Sequence, residues 1–272
     1  MPDVSTIASP SERRKAPGTV AATGRIHFWQ GGSLWLGSGH GRSEWHTHHA
    51  HQIALALDGE FRFRTERSGP WTTYEAVIVT SHCAHEFELD GITVAHLFVE
   101  PESQEGRALS RRFPPLDISA LPVADAQAAA QALFSAARDG ADADALKAAA
   151  RAALARLSAT SPASCAVQGV DARIARALDF VASRVRTPVS LADAARAAAL
   201  SPSRFRHLFV QQTGTSFRAY LLWLRINLAI EAAAAGASWT EAAHAAGFAD
   251  SSHLTRTHKR MFGIEPTAIR HT

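Results

Sequence analysis

Apolar positions change their period twice along this 272-residue chain. From about Gly24 to Pro101 they alternate or recur in short runs: Ser33–Leu36, Ile53–Leu57, Phe61–Arg64, Val77–Val79 and Ile92–Val99. Turn signals separate the runs, at Gly31-Gly32, Asp58-Gly59, Ser68-Gly69-Pro70 and Asp90-Gly91. Many short strands at this spacing predict an antiparallel barrel or sandwich. After Pro101 the chain turns alanine-rich, strands are expected to end, and helical spacing predicts helices over 103–113, 122–138 and 142–158. Pro114-Pro115 and Asp139-Gly140 break them apart. The stripe Leu146, Ala150, Ala153, Leu154 and Leu157 reads first as core and second as an interface. Ser158 to Ser164 then has the composition of a linker.

The last hundred residues repeat a helical pattern. Its copies are SLADAARAAALSPSRFRHLFVQQTG, 190–214, and SWTEAAHAAGFADSSHLTRTHKRMFG, 238–263. Each opens with a capping-box pattern, Ser190-x-x-Asp193 or Ser238-x-x-Glu241, in which side chains satisfy the free N–H groups of a helix start. An alanine-lined helix, a short turn and a second helix follow. Ser201 with Pro202 starts the second helix of the first copy, and Asp250 that of the second. Gly214 and Gly263 end them. Helix, short turn, helix is the plan whose second member enters the DNA major groove. A leading helix over 171–184 and a long central one over 216–235 complete the set, giving seven helices with a last turn at 266–269.

Charge supports that direction. Residues 167–272 carry 13 Arg/Lys against 7 Asp/Glu, whereas 1–166 carry 15 against 18. A basic rear third suits a polyanionic partner. No apolar run reaches the roughly 18 residues of a membrane span, and MPDVSTIASPSERRKAPG lacks the apolar core of a secretory signal. Cys83 and Cys165 are too few for a disulfide framework, so a reducing cytoplasm is expected.

The stretches LSPSRFRHLFVQQTGTSFRAYLLWLRINLA, 200–229, and AAHAAGFADSSHLTRTHKRMFGIEP, 242–266, resemble the DNA-binding domain of AraC/XylS transcriptional regulators. That resemblance implies two helix-turn-helix units tied by the central helix, with both recognition helices in successive major grooves. It places Ser203, Arg206 and His207, and Ser251, Ser252, Thr255 and Arg256, towards base edges. Arg206 and Arg256 suit guanine, which arginine grips at O6 and N7 together. Arg204, Arg218, Arg225, Lys259 and Arg260 are candidates for phosphate, which positions without reading sequence. His258 stands where the family has phenylalanine and Leu254 replaces a common aromatic, so looser packing is expected in the second unit.

In the front half, Gly41 to Gly59 contains EWHTHHAHQ, with four histidines in nine positions, and resembles the first cupin motif. His85 in SHCAHEF matches the second motif, which lacks its usual Pro-x-Gly and distal Asn. Strand parity puts His46, His48, Ala50 and Gln52 on one face and His49 and His51 on the other. His46, His48 and His85 are thus candidate ligands of a divalent metal, with Gln52 where the family has an acid. A neutral amide is a poorer ligand, which leaves two further readings: an organic-effector pocket helped by Trp45, Phe87 and His96, and hydrogen-bonded polar residues with no ligand. His82 and Cys83 are candidate extra ligands, although a lone cysteine is more often a small buried thiol.

The expected architecture is α+β and multidomain. A disordered tail over 1–22 precedes a cupin-like antiparallel β-barrel over 23–101, a helical linker and dimerisation candidate over 102–165, and an all-α domain with two helix-turn-helix units over 166–272. The expected function is a transcriptional regulator, activator or repressor, that binds promoter DNA and senses a small molecule or metal. RNA polymerase and a second copy are its further expected partners. The alternative is a cupin-type dioxygenase or isomerase with a DNA-binding appendage. Gln52 in the acidic position counts against it, and no nucleophile triad or phosphate loop supports other catalysis.

Overall fold

The computed structural model describes residues 16–159 and 169–272. The first fifteen residues of the expected tail and most of the Ser158–Ser164 linker lie outside them. Nine strands form one sheet in the order β8-β6-β3-β7-β2-β1-β9, with β4 pairing β5 and β7. They are β1 (Ala21–Trp29), β2 (Gly32–Arg42), β3 (His51–Ala56), β4 (Phe61–Arg64), β5 (Thr72–Tyr74), β6 (Ala76–Val79), β7 (Glu86–Val99), β8 (Ile118–Ala120) and β9 (Ile269–His271).

Period-two alternation sorts the two sheet faces. On β2, Leu34 and Leu36 face one way and Trp35 the other; on β3, Ile53 and Leu55 oppose Ala54; on β7, Ala95, Leu97 and Val99 oppose Val94 and Phe98. The outer set packs against α1 (Gln104–Arg112), α2 (Val123–Arg138) and α3 (Ala143–Ser158). The stripe Leu146, Ala150, Ala153, Leu154 and Leu157 is buried there, so it is core. The inner set lines the concave side and merges with residues of the C-terminal helices.

Several expectations needed correction. Order begins before residue 23: Pro17 bridges Arg42, Val20 is buried and β1 starts at Ala21. The turn expected at Asp90-Gly91 lies within the continuous strand β7 as a bulge: Gly39 pairs Ile92 and His40 pairs Asp90, leaving Gly91, at φ of 73°, as the extra residue. Strands do not end at Pro101. β8 pairs β6 antiparallel, and β9 runs parallel to β1 from the far end of the chain.

The C-terminal helices are α4 (Ala172–Arg184), α5 (Leu191–Ala197), α6 (Pro202–Thr213), α7 (Phe217–Ala234), α8 (Trp239–Ala245) and α9 (Ser251–Phe262), then one 3₁₀ turn, Pro266–Ala268. Both capping boxes form, with Ser190 and Ser238 each accepting from the residue three on while Asp193 and Glu241 reach back. Ser201 and Asp250 cap α6 and α9, and Gly214 and Gly263 end them at φ of 71° and 70°. The expected looseness of the second unit is not observed. Leu254 is fully buried, and buried His258 joins its Nδ1 to the Ile264 carbonyl and packs against Trp239 and Phe262.

Candidate functional site

The two recognition helices present the expected polar faces. On α6, Ser203, Arg204, Arg206 and His207 are exposed, while Phe205 and Phe209 are buried four residues apart and fix the helix against α7. On α9, Ser252, Arg256 and Arg260 are exposed, and Ser251 and Thr255 are half-buried. Two phosphate candidates stand differently from the rest. Arg225 is half-buried against Gly247, where burial lowers its pKa and its Nε has no partner. Lys259 sits between two carboxylates, with Nζ 2.9 Å from Glu44 Oε1 and 3.1 Å from Glu265 Oε1. These raise its pKa.

The histidines gather on the inner side of the sheet. His46 and His85 form an isolated bridge rather than a strand pair, and β3 begins only at His51. The segment carrying His46 and His48 is therefore not a regular strand. His46, His48 and His85 are all buried, each offering a ring nitrogen within 4.8 Å of the others. Every one of the three joins its Nδ1 to a backbone carbonyl: His46 to Glu44 at 2.9 Å, His48 to Ala50 at 2.8 Å and His85 to Cys83 at 3.0 Å. A carbonyl only accepts, so each Nδ1 carries the proton and each Nε2 keeps its lone pair. That arrangement of a second ring nitrogen is typical behind metal-ligating histidines.

Burial holds the rings neutral. Desolvation lowers His46 to about 3, and lowers His48 and His85, with neighbouring imidazoles adding to it. Gln52 completes the group: its Oε1 lies 2.9 Å from His48 Nε2 and 3.2 Å from His85 Nε2, while its amide nitrogen lies 2.9 Å from His96 Nδ1. In this orientation an oxygen lone pair faces two nitrogen lone pairs, which a cation among them would reconcile. Turned over, the amide would donate to both histidines and accept from a protonated His96 Nδ1, a satisfied network without a metal. Three imidazoles and one amide oxygen fit a divalent ion of the zinc, iron or nickel kind.

The remaining candidates lie elsewhere. His49 meets Glu102 at 2.9 Å and His51 meets Ser110 at 2.9 Å. His82 packs against His49, and the buried Cys83 thiol is pushed up to about 11, so neither joins the three histidines. Trp45 is covered by Arg67 and does not line the neighbouring cavity. That apolar cavity, of about 70 Å³, is walled by His46, Gln52, Phe87 and His96. Phe262, Ile264 and Ile269 close it from the C-terminal segment, a contribution that no local sequence signal announced.

Residues 194–272 match the family model described as a helix-turn-helix domain. Over nearly its whole length the chain has the fold of ToxT from Vibrio cholerae O395, at 11% identity and a TM-score of 0.52, covering 91% of this chain and 94% of that one. Unsaturated-fatty-acid-bound wild-type ToxT from Vibrio cholerae strain SCE256 is similar at 13% identity and a TM-score of 0.50, covering 91% of each chain. A transcriptional regulator with an AraC-type DNA-binding domain from Chromobacterium violaceum is 27% identical over 35% of this chain and 85% of its own, with a TM-score of 0.34. No curated protein matches the chain in sequence. Among the described residues, no helix is long and apolar enough to cross a membrane.

Proposed function

We propose that the protein is a sequence-specific, DNA-binding transcriptional regulator whose β domain senses a metal ion or small molecule and passes its state to the DNA-reading helices. The observation that carries this reading is the pair of correctly capped helix-turn-helix units with Arg206 and Arg256 exposed on the second helix of each. Ser203, Arg204 and His207 on α6, and Ser251, Ser252 and Thr255 on α9, complete the reading faces. The protein acts in the cytoplasm, on duplex DNA, with RNA polymerase as its downstream partner. A second copy is its further partner, with the helical region over 102–165 as the candidate contact.

His46, His48 and His85, with Gln52 as fourth donor, would hold the divalent ion. Bound there, the ion would fix the imidazoles and give the cavity beside them a Lewis-acidic wall. A small apolar effector with one donor atom suits that cavity. ToxT, which shares the fold, has been seen with an unsaturated fatty acid.

The reading is tested by competition binding between DNA upstream of the protein's own coding sequence and a random duplex. Upstream DNA should bind at least about 100-fold more tightly, with affinity falling steeply as salt rises. Equal binding of both would contradict it. Zinc titration tests the metal: stoichiometric uptake lost in His85→Ala is expected. No uptake by the parent protein would leave the turned-over glutamine network as the description of the site.

A further inference from the structure

We infer that Glu44 couples the histidine site to the second helix-turn-helix unit: its backbone joins His46 to the end of α9, and its carboxylate withholds Lys259 from DNA phosphate. This regulation rests on the DNA-binding reading above.

The geometry is a short relay. The Glu44 carbonyl accepts from His46 Nδ1 at 2.9 Å, and the Glu44 N–H donates to the Gly263 carbonyl at 2.6 Å. One residue thus touches a candidate metal ligand on one side and the cap of a recognition helix on the other. Gly263 fits only because it has no side chain. A Cβ there would collide with the Glu44 carbonyl oxygen and with His46 Nδ1. Around the relay, Thr47 N–H reaches the Arg260 carbonyl at 3.4 Å and Phe262 packs on Trp35 with ring centroids 5.0 Å apart. The end of α9 is therefore seated on the sensor.

The carboxylate adds a charge effect. Lys259 lies in the last turn of α9, and a phosphate approaching it meets a cation already shared by Glu44 and Glu265. Glu265 belongs to the DNA-binding segment and travels with the lysine, whereas Glu44 belongs to the sensor. Release of the seam would remove one of the two carboxylates that compete with DNA phosphate for Lys259. His46, whose Nε2 keeps its lone pair, would be held in place if the histidine site were filled by an ion. With His46 held, its Nδ1–H would hold the Glu44 carbonyl and keep the seam closed.

The test uses the full chain and a random-sequence duplex, so that phosphate contact is measured apart from base reading. Glu44→Gln leaves the backbone relay and removes the charge. It should raise duplex affinity by about two- to fivefold, the range of an exposed ion pair, and steepen the slope of log affinity against log salt by about 0.9, one phosphate. Lys259→Ala should do little in the parent and should cancel the gain in Glu44→Gln. Zinc should weaken duplex binding by the parent, and should not weaken binding by Glu44→Gln or His85→Ala. An unchanged salt slope in Glu44→Gln overturns the charge gate. An equal zinc effect in parent and Glu44→Gln overturns the coupling of the site to the Glu44 charge, and an equal zinc effect in parent and His85→Ala overturns the relay. Absence of duplex binding by every variant would instead remove the DNA-binding reading itself.

Discussion

The two helix-turn-helix units are near copies in sequence and differ in what they pack against. The first, α5 with α6, closes its core with α4 and the front of α7 through Ile174, Val181, Phe205, Phe209 and Phe217. The second, α8 with α9, has no such separate core. Ala242, Phe248, Leu254 and Phe262 join a cluster that includes Trp35, Phe87 and Phe98 of the sheet. Similar capping chemistry thus builds one unit that stands mostly alone and one that is continuous with the β-sheet. On the proposed function, the β domain addresses the two helix-turn-helix units unequally, because its inner face packs directly on α9 and not on α6. His258, which departs from phenylalanine, belongs to this difference, because its ring satisfies the Ile264 carbonyl in the segment that closes the barrel cavity.

Glycine at the end of each recognition helix offers the sharpest way to break the comparison. Gly214 and Gly263 have the same left-handed backbone, so alanine at either costs about 1–2 kcal/mol from conformation alone. At Gly214 an added Cβ meets only His82 at 3.7 Å, an ordinary contact. At Gly263 it meets sensor backbone and His46. Gly263→Ala should therefore destabilise by at least about 2 kcal/mol more than Gly214→Ala, within the tail of large single-site effects. It should also weaken zinc uptake. Thermal unfolding and zinc titration of the two variants check this, and equal effects would remove the seam.

Acid should act on the second unit and the sensor before the first. Burial lowers His46 to about 3 and His51, His82, His96 and His258 to about 4. A lowered folded pKa means the unfolded chain takes up protons first. Stability is then full above about 6.5 and falls as pH drops towards 4, by on the order of 1 kcal/mol per histidine and pH unit. All five lie in the sensor or α9. Hydrogen exchange between pH 7 and 4.5 should show protection lost from β3, β7 and α9 while α5 and α6 keep theirs.

A smaller effect concerns the turns. Ala199 holds φ of 54° in the first unit, where the second has Gly247 at 76°. Ala199→Gly should stabilise the first unit by up to about 1 kcal/mol, the relief of left-handed strain less the added freedom of the unfolded chain. The corresponding Gly247→Ala should destabilise, because its Cβ would press on the Arg225 guanidinium at 3.3 Å. Chemical denaturation of the pair measures both.

What sequence reveals here follows the distance over which each feature is encoded. Caps, turns and helix ends in 190–263 lie within four residues of their partners, and all were readable from Ser190, Ser201, Ser238, Asp250, Gly214 and Gly263. The separation of Gln52 from His49 and His51 was also legible, even though His46 and His48 lie on an irregular segment rather than the expected strand. β8 and β9 were not legible. Three residues such as Ile269–His271 carry no usable period, and their pairing is fixed by a sheet edge almost 250 residues away. For the same reason nothing local marked Glu44 as the partner of Lys259 and Gly263. Gln52, read as a weak substitute for an acid, gained its meaning from His96, which fixes the amide from behind.

Footprinting on the DNA upstream of its own coding sequence tests the central claim most directly. The account predicts two protected major-groove segments on one face of the duplex, about one helical turn apart. Arg206→Ala should relax base preference in one segment and Arg256→Ala in the other, each by about 1–3 kcal/mol at a single position. Uniform protection, or the same footprint in the parent and both variants, would contradict a regulator that reads sequence through α6 and α9.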